Sequence, residues 1–291
     1  MPATLVERAA TVGGYRTRLL EHEGDGPPIL LLHGFADSAD TWRPLMRTME
    51  RDGRRVVAAD LPMFGKAERP APVEILKTLD GFVEGLIDEL GTDGEVLIVG
   101  NSLGGLLSMR AASRPDLPVR GIAPIGPAGL GLQPWLGVVH RAGAALHTAA
   151  RAPVPIGVLQ RAAGELYRRL ASSGAVDAGA VADFASHVGR GDPARLMLIA
   201  RGLISELADP NVLRAEQITC PVVLIWGGKD KLCPASGAQI FVGAVPHTRL
   251  ELLPARGHCV QIEDPHHVRK LVLDLDARSS GSGDVRPDRA A

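Results

Sequence analysis

Short apolar runs alternate with longer amphipathic stretches through residue 126, a rhythm that predicts the strands of a mostly parallel sheet covered by helices. "PPILLLHGF" (27–35), "RRVVAAD" (54–60), "EVLIVGNS" (95–102) and "VRGIAPIG" (119–126) read as buried strands. Between them, "SADTWRPLMRTMERDG", "VEILKTLDGFVEGLIDELG" and "LGGLLSMRAAS" read as helices, the first two closed by Gly53 and Gly91. After Pro127 the rhythm breaks. Residues 130 to about 215 hold Ala-, Leu- and Arg-rich helical text, interrupted by Pro153, Pro155 and Pro193, with no convincing strand. Strand character then returns in "CPVVLIWGGKD" (220–230) and "TRLELLPARGH" (248–258), with helices at 235–245 and 264–278.

This organisation implies one α/β core, residues 1–129 and 216–278, with a helical insertion over 130–215. The Gly/Ser-rich end, residues 279–291, is expected to be a disordered tail. A length of 291 residues suits one large domain carrying an insertion. A formal charge of -1 lacks the basic excess of a nucleic-acid footprint, so the expected partner is a small molecule. The arginines between Arg141 and Arg201 alternate with Ala, Leu and Val, as on solvated helix faces. Cys220, Cys233 and Cys259 make an odd number without C-x-x-C spacing, so no disulfide framework and no metal site is expected. No signal peptide and no uninterrupted apolar span are visible, which makes the cytoplasm the expected location.

The candidate chemistry centres on "IVGNSLGG" (98–105), where Ser102 sits between glycines after an apolar run and before a helical one. That is the nucleophile-elbow pattern, a turn so tight that flanking side chains would clash. A serine hydroxyl attacks only when a base takes its proton and an acid orients the base. Asp230 follows the strand "VVLIWGG" and His258 follows "LELLPARG", so both fall on loops at the carboxyl ends of strands, the rim that Ser102 shares. The order Ser102, Asp230, His258 is one of the known triad orders. Oxyanion donors are expected from the backbone N–H groups of Leu103, after the nucleophile, and Phe35, in the loop after "ILLLHG". His33, at a strand end, reads as a structural hydrogen-bonding residue. No cofactor is called for.

The blocks "LLHGFADSADTW", "DLPMFGKAERP", "GNSLGG", "LIWGGKDKLCP" and "ARGHCVQIEDP" resemble the α/β-hydrolase superfamily over residues 12 to 278. The resemblance implies an α/β-hydrolase fold with a cap inserted after the sixth strand, a triad of Ser102, Asp230 and His258, and oxyanion donors Phe35 and Leu103. Ser102 separates the chain from relatives that use an aspartate nucleophile. Met63 and Lys66 replace the glycine and serine of many relatives, at positions expected near the site mouth. "GNSLGG" is similar to the elbow of carbon–carbon hydrolases of ring-fission diketones, although Cys259 stands where those enzymes usually carry tryptophan. The expected activity is hydrolysis of a small apolar ester through an acyl-serine. The alternatives are carbon–carbon hydrolysis, cofactor-free perhydrolysis, or a hydrolase-fold binding protein with little turnover.

Overall fold

The six expected strand segments become six strands of one eight-stranded sheet in a computed structural model of the chain, which describes residues 5–91, 95–131, 154–174, 178–190 and 192–280. The strands are β1 (Leu5–Val12), β2 (Tyr15–His22), β3 (Asp25–Leu32), β4 (Arg54–Ala59), β5 (Val96–Asn101), β6 (Val119–Ile125), β7 (Val223–Gly227) and β8 (Arg249–Leu253). Their spatial order is β1-β2-β4-β3-β5-β6-β7-β8. The β1–β2 and β2–β4 pairs are antiparallel and the remaining pairs are parallel. The β1–β2 hairpin turns at Gly13-Gly14, both at positive φ, and it adds an edge that the apolar pattern of the sequence does not announce.

Two buried layers flank the sheet. Alternate residues of each strand supply them: Leu30, Leu32, Ile98 and Leu224 face one layer, while Ile29, Leu31, Leu97, Val99 and Ile225 face the other. Helices α2 (Ile75–Leu90) and α3 (Leu103–Ala112) cover the first; α1 (Arg43–Met49) covers the second. In α2 the apolar residues Ile75, Leu79, Phe82, Val83, Leu86, Ile87 and Leu90 recur at helical spacing and are buried. Complete burial of one such side chain is worth roughly 1.5–3 kcal/mol, and this sets the registry of the sheet against its helices.

Between β6 and β7 the described residues form only α4 (Ile156–Leu170), α5 (Ala178–Arg190) and α6 (Pro193–Leu207), followed by a short 3-10 turn. After β7 come α7 (Ser236–Ala244), the short α8 (Val260–Glu263) and α9 (Pro265–Ser280). The last helix therefore includes Ser279 and Ser280, the first two residues assigned to the tail. Residues 281–291 lie outside the described residues, as do 132–153, 175–177 and 191 of the insertion. Among the described residues no helix is long and apolar enough to cross a membrane.

The chain order reverses at the sheet centre: β4 lies on one side of β3, and β5 on the other. In such a sheet, the carboxyl ends of the strands beside the reversal border a crevice. β3 ends just before Phe35 and β5 just before Ser102.

Candidate active site

The turn from β5 into α3 takes the conformation that its glycines allow. Ser102 has φ 54° and ψ −113°, outside the helical and extended regions, a strain of roughly 1–3 kcal/mol that the surrounding packing must hold. A Cβ at Gly100 would stand 2.1 Å from the Gly104 carbonyl oxygen, and one at Gly104 would stand 2.0 Å from that of Leu32. Only hydrogen fits at either position. Ser102 N donates to Ile125 O at 2.9 Å and Ser102 O accepts from Ala128 N at 3.0 Å, so neighbouring β6 braces the elbow.

Asp230 and His258 meet at the same rim. One Asp230 carboxylate oxygen accepts from the backbone N–H groups of Leu232 and Cys233, each at 2.8 Å; the other lies 2.7 Å from His258 Nδ1. Both side chains are buried. A carboxylate only accepts, so Nδ1 carries a proton, and in the neutral imidazole Nε2 then holds the lone pair. Gly126, next to the Ile125 that braces Ser102, passes beneath the pair. A Cβ there would stand 2.9 Å from Asp230 Oδ2 and 3.2 Å from His258 Nδ1. Asn101 Nδ2 donates to both Ile125 O and His258 O, tying the elbow to the histidine loop.

The two expected oxyanion donors border this position. Leu103 is the first residue of α3, where helical geometry leaves the N–H without an intrahelical partner. The strand end before Phe35 runs against the elbow, since a Cβ at Gly34 would stand 3.3 Å from Ser102 Cβ. The Phe35 ring packs edge-on against Phe64 at 5.4 Å between centroids. Cys233, which sequence reasoning left outside the site, lies beside it. Burial pushes its thiol up, the Asp230 charge adds to this, and a hydrogen bond with Ser102 opposes both. Its place three residues after Asp230, in the same loop, is the signal that would have found it.

His33 is a fixed neutral imidazole. Nδ1–H donates to Gly34 O at 2.8 Å and Nε2 accepts from Leu61 N at 2.9 Å, so it has no nitrogen free to act as a base. Burial is the main cause that holds its pKa down at about 4. Asp37, in the same loop, is pushed up to about 6 by burial, despite the hydrogen bonds from Ser38 and Thr41 that oppose it. The two act on stability in opposite directions. Between about pH 6.5 and 4 the unfolded chain protonates His33 and the native one does not, so acidification costs up to about 3 kcal/mol. Between about pH 4 and 6 the native chain keeps the Asp37 proton that the unfolded chain loses, so a similar contribution, about 3 kcal/mol, is present at low pH and fades as pH rises. We therefore expect Asp37→Asn to gain stability relative to the wild type as pH rises from 4 to 6.5, measured by urea unfolding at each pH. A difference independent of pH would mean that Asp37 ionises as readily in the folded chain as in the unfolded one.

Of the two residues expected near the site mouth, only Met63 lies beside the crevice. It has φ 78° and shares a cavity lining with Ala36, Phe64, Arg69, His187 and Arg195. Lys66 turns away: its Nζ binds Glu7 on β1 at 2.6 Å, and its N–H donates to buried Asp60. Asp60 also binds Arg18, whose guanidinium reaches Asp40. Burial would raise the Asp40 carboxyl, but hydrogen bonds from His187, Arg18 and Arg43 outweigh it and hold the group well below the usual carboxylate range. His187 thereby links α5 to the core, bonding Asp40 at 3.0 Å and Ser38 Oγ at 2.8 Å. His140 and His147 lie outside the described residues. The three cysteines are free, and among the described residues no group of three or more His, Cys, Asp or Glu could hold a metal ion.

The chain is similar to a 2-hydroxy-6-oxo-6-(2'-aminophenyl)hexa-2,4-dienoic acid hydrolase of Metapseudomonas resinovorans, 26% identical over 284 residues that cover 94% of this chain and 91% of the relative. It is 28% identical over 251 residues to a pimeloyl-[acyl-carrier protein] methyl ester esterase of Nitrosomonas europaea, covering 84% of this chain and 94% of the relative. The structure resembles that of 2-hydroxy-6-oxo-6-phenylhexa-2,4-dienoate hydrolase from Rhodococcus sp. strain RHA1, with a TM-score of 0.77 and 20% identity over 94% of this chain and 99% of the other. The alpha/beta hydrolase fold family matches residues 27–265. With that match spanning most of the chain, and the sheet order, elbow and strand-end loops described above, the protein belongs to the alpha/beta hydrolase fold family.

Proposed function

We propose that the protein is a serine hydrolase that cleaves a small, apolar carboxylic ester through an acyl-serine intermediate. The observation that carries this reading is the Asp230–His258 hydrogen bond at the rim where the strained Ser102 turn ends. Ser102 Oγ attacks the ester carbonyl carbon while His258 Nε2 takes its proton, and the resulting oxyanion accepts from the Phe35 and Leu103 N–H groups. Collapse breaks the bond to the alkoxide, which leaves with the proton from His258 as the alcohol. Water then attacks the acyl-serine, giving one proton to His258. The second collapse returns that proton to Ser102 Oγ and releases the carboxylic acid. Asp230 accepts from Nδ1–H throughout and stabilises the imidazolium.

A second reading, hydrolysis of a carbon–carbon bond in a ring-fission diketone, is favoured by the similarity to the Metapseudomonas hydrolase over nearly the whole of both chains. Arg69 and Arg195 in the cavity beside Ala36 could receive the carboxylate of such a substrate. In both readings the helices between β6 and β7 form the cap over the crevice. The deciding experiment is a panel of acyl esters of graded length beside one ring-fission diketone. We expect turnover of short to medium esters at least tenfold faster, by kcat/KM, than of the diketone. The reverse ranking would establish the second reading, and no turnover of any member would overturn both.

A further inference from the structure

Helix α4 ends on the two loops that carry Asp230 and His258. The last carbonyls of a helix lack intrahelical donors, and here residues at the candidate triad use them. Ala171 O accepts from His258 N at 3.0 Å and from Cys259 N at 3.2 Å. Lys231, the neighbour of Asp230, places Nζ 3.0 Å from Arg169 O. Glu263 closes the junction from the other side. One of its carboxylate oxygens accepts from Ser173 N at 2.9 Å; the other accepts from Ser173 Oγ and, at 3.1 Å, from Gly257 N. The approach is so close that a Cβ at Gly257 would stand 2.7 Å from Ser173 N. Beside these bonds Tyr167, Ala171 and Cys259 form a buried cluster, with Leu232 and Ile262 packed against it. Apolar contact therefore joins the same three segments.

We propose that Glu263 and the Ala171–Ser173 turn are positioning residues that hold His258 in line with Asp230 and Ser102. The inserted helices then take part in setting the base, in addition to shaping what enters the crevice. The inference rests on the reading of Ser102, Asp230 and His258 as a triad. Its physical basis is where the backbone of the histidine loop is anchored. β8 ends at Leu253 and α8 begins at Val260, so His258 hangs from a connection outside any strand or helix. The N–H groups of Gly257, His258 and Cys259 are bonded to Glu263 and to the end of α4. Two of the bonds to the Glu263 carboxylate come from the insertion itself, and charge-assisted hydrogen bonds of this kind are stronger than neutral ones. A displacement of about 1 Å at a reacting group can cost about 10²-fold in rate, so small movements of α4 would be read directly by Ser102.

The test compares wild type, Glu263→Gln and Ser173→Ala in the full chain. Gln keeps the size of the side chain but turns an amide N–H₂ toward one set of N–H donors, whereas Ser173→Ala removes only the hydroxyl bond. Three quantities are read: kcat and KM on the best ester, the rate of Ser102 labelling by a fluorophosphonate, and the far-downfield proton resonance of His258 Nδ1–H. For Glu263→Gln we expect kcat and the labelling rate to fall roughly 10- to 100-fold with KM within about twofold, and the resonance to shift or broaden. For Ser173→Ala we expect a fall of roughly two- to tenfold with the same signature. A folded Glu263→Gln with wild-type kcat, labelling rate and proton resonance would overturn the proposal. If that variant does not fold, wild-type values in Ser173→Ala would overturn it instead. A wild type that fails to label at Ser102 would strike the triad reading itself, a result distinct from either.

Discussion

Replacing Ser102 by alanine is expected to lower ester turnover by roughly 10⁴- to 10⁶-fold, because the attacking atom is lost while the oxyanion donors and the binding crevice remain. The fold should persist. Ser102 N and O are bonded to Ile125 and Ala128 through the backbone, so these braces of the elbow do not depend on the hydroxyl. Ser102→Gly offers a second readout, since φ 54° with ψ −113° strains any residue with a Cβ. It should be as inactive as the alanine variant and should unfold at higher urea than Ser102→Ala, as glycine reaches positive φ without steric cost. Stopped assays with active-site titration would measure the turnover. Retention of a tenth of the wild-type rate by either variant would place the nucleophile elsewhere.

The elements that set this site were legible to different degrees. Strands β3, β5, β7 and β8 are each followed by a glycine-containing turn, and the loops at their ends carry Phe35, Ser102, Asp230 and His258. Apolar runs and turn residues therefore point to strand-end positions for these four residues in the sequence alone. β1 escaped because an edge strand is only partly buried: "LVERAATV" has one buried residue and no continuous apolar run; β2 escaped because its buried stretch includes the polar residues Thr17, Arg18, Glu21 and His22. The Gly-Gly pair between β1 and β2 was the available signal, since a two-residue turn with positive φ is a hairpin turn. Cys233 beside Ser102, and Glu263 between Gly257 and Ser173, depend on three-dimensional packing of segments up to 131 residues apart in the case of Cys233 and 90 in that of Glu263. No local periodicity encodes such pairs. The same holds for Lys66, whose place in a loop bordering the crevice suggested a site residue while its ammonium pairs with Glu7 on the edge strand.

Asp230→Asn tests the chemistry of the base most sharply, because the local hydrogen bonds dictate which way the new amide must face. In the wild type, Oδ1 accepts from the N–H groups of Leu232 and Cys233, and Oδ2 accepts from His258 Nδ1–H. Asparagine has one oxygen and one N–H₂ in place of two oxygens. The two backbone donors claim the oxygen, since turning N–H₂ toward them would leave buried donors facing donors at a cost of roughly 1–3 kcal/mol each. The amide N–H₂ then points at His258, where it can only donate, so Nδ1 must become the acceptor and the imidazole proton must move to Nε2. An Nε2–H cannot take the Ser102 proton. The variant should therefore keep its fold and its crevice yet lose turnover by roughly 10⁴-fold. The tautomer is directly observable: ¹⁵N spectra of the labelled histidine ring should show the proton on Nδ1 in the wild type and on Nε2 in Asp230→Asn. A variant within tenfold of wild-type turnover, with the proton moved to Nε2, would show that His258 is not the base that activates Ser102.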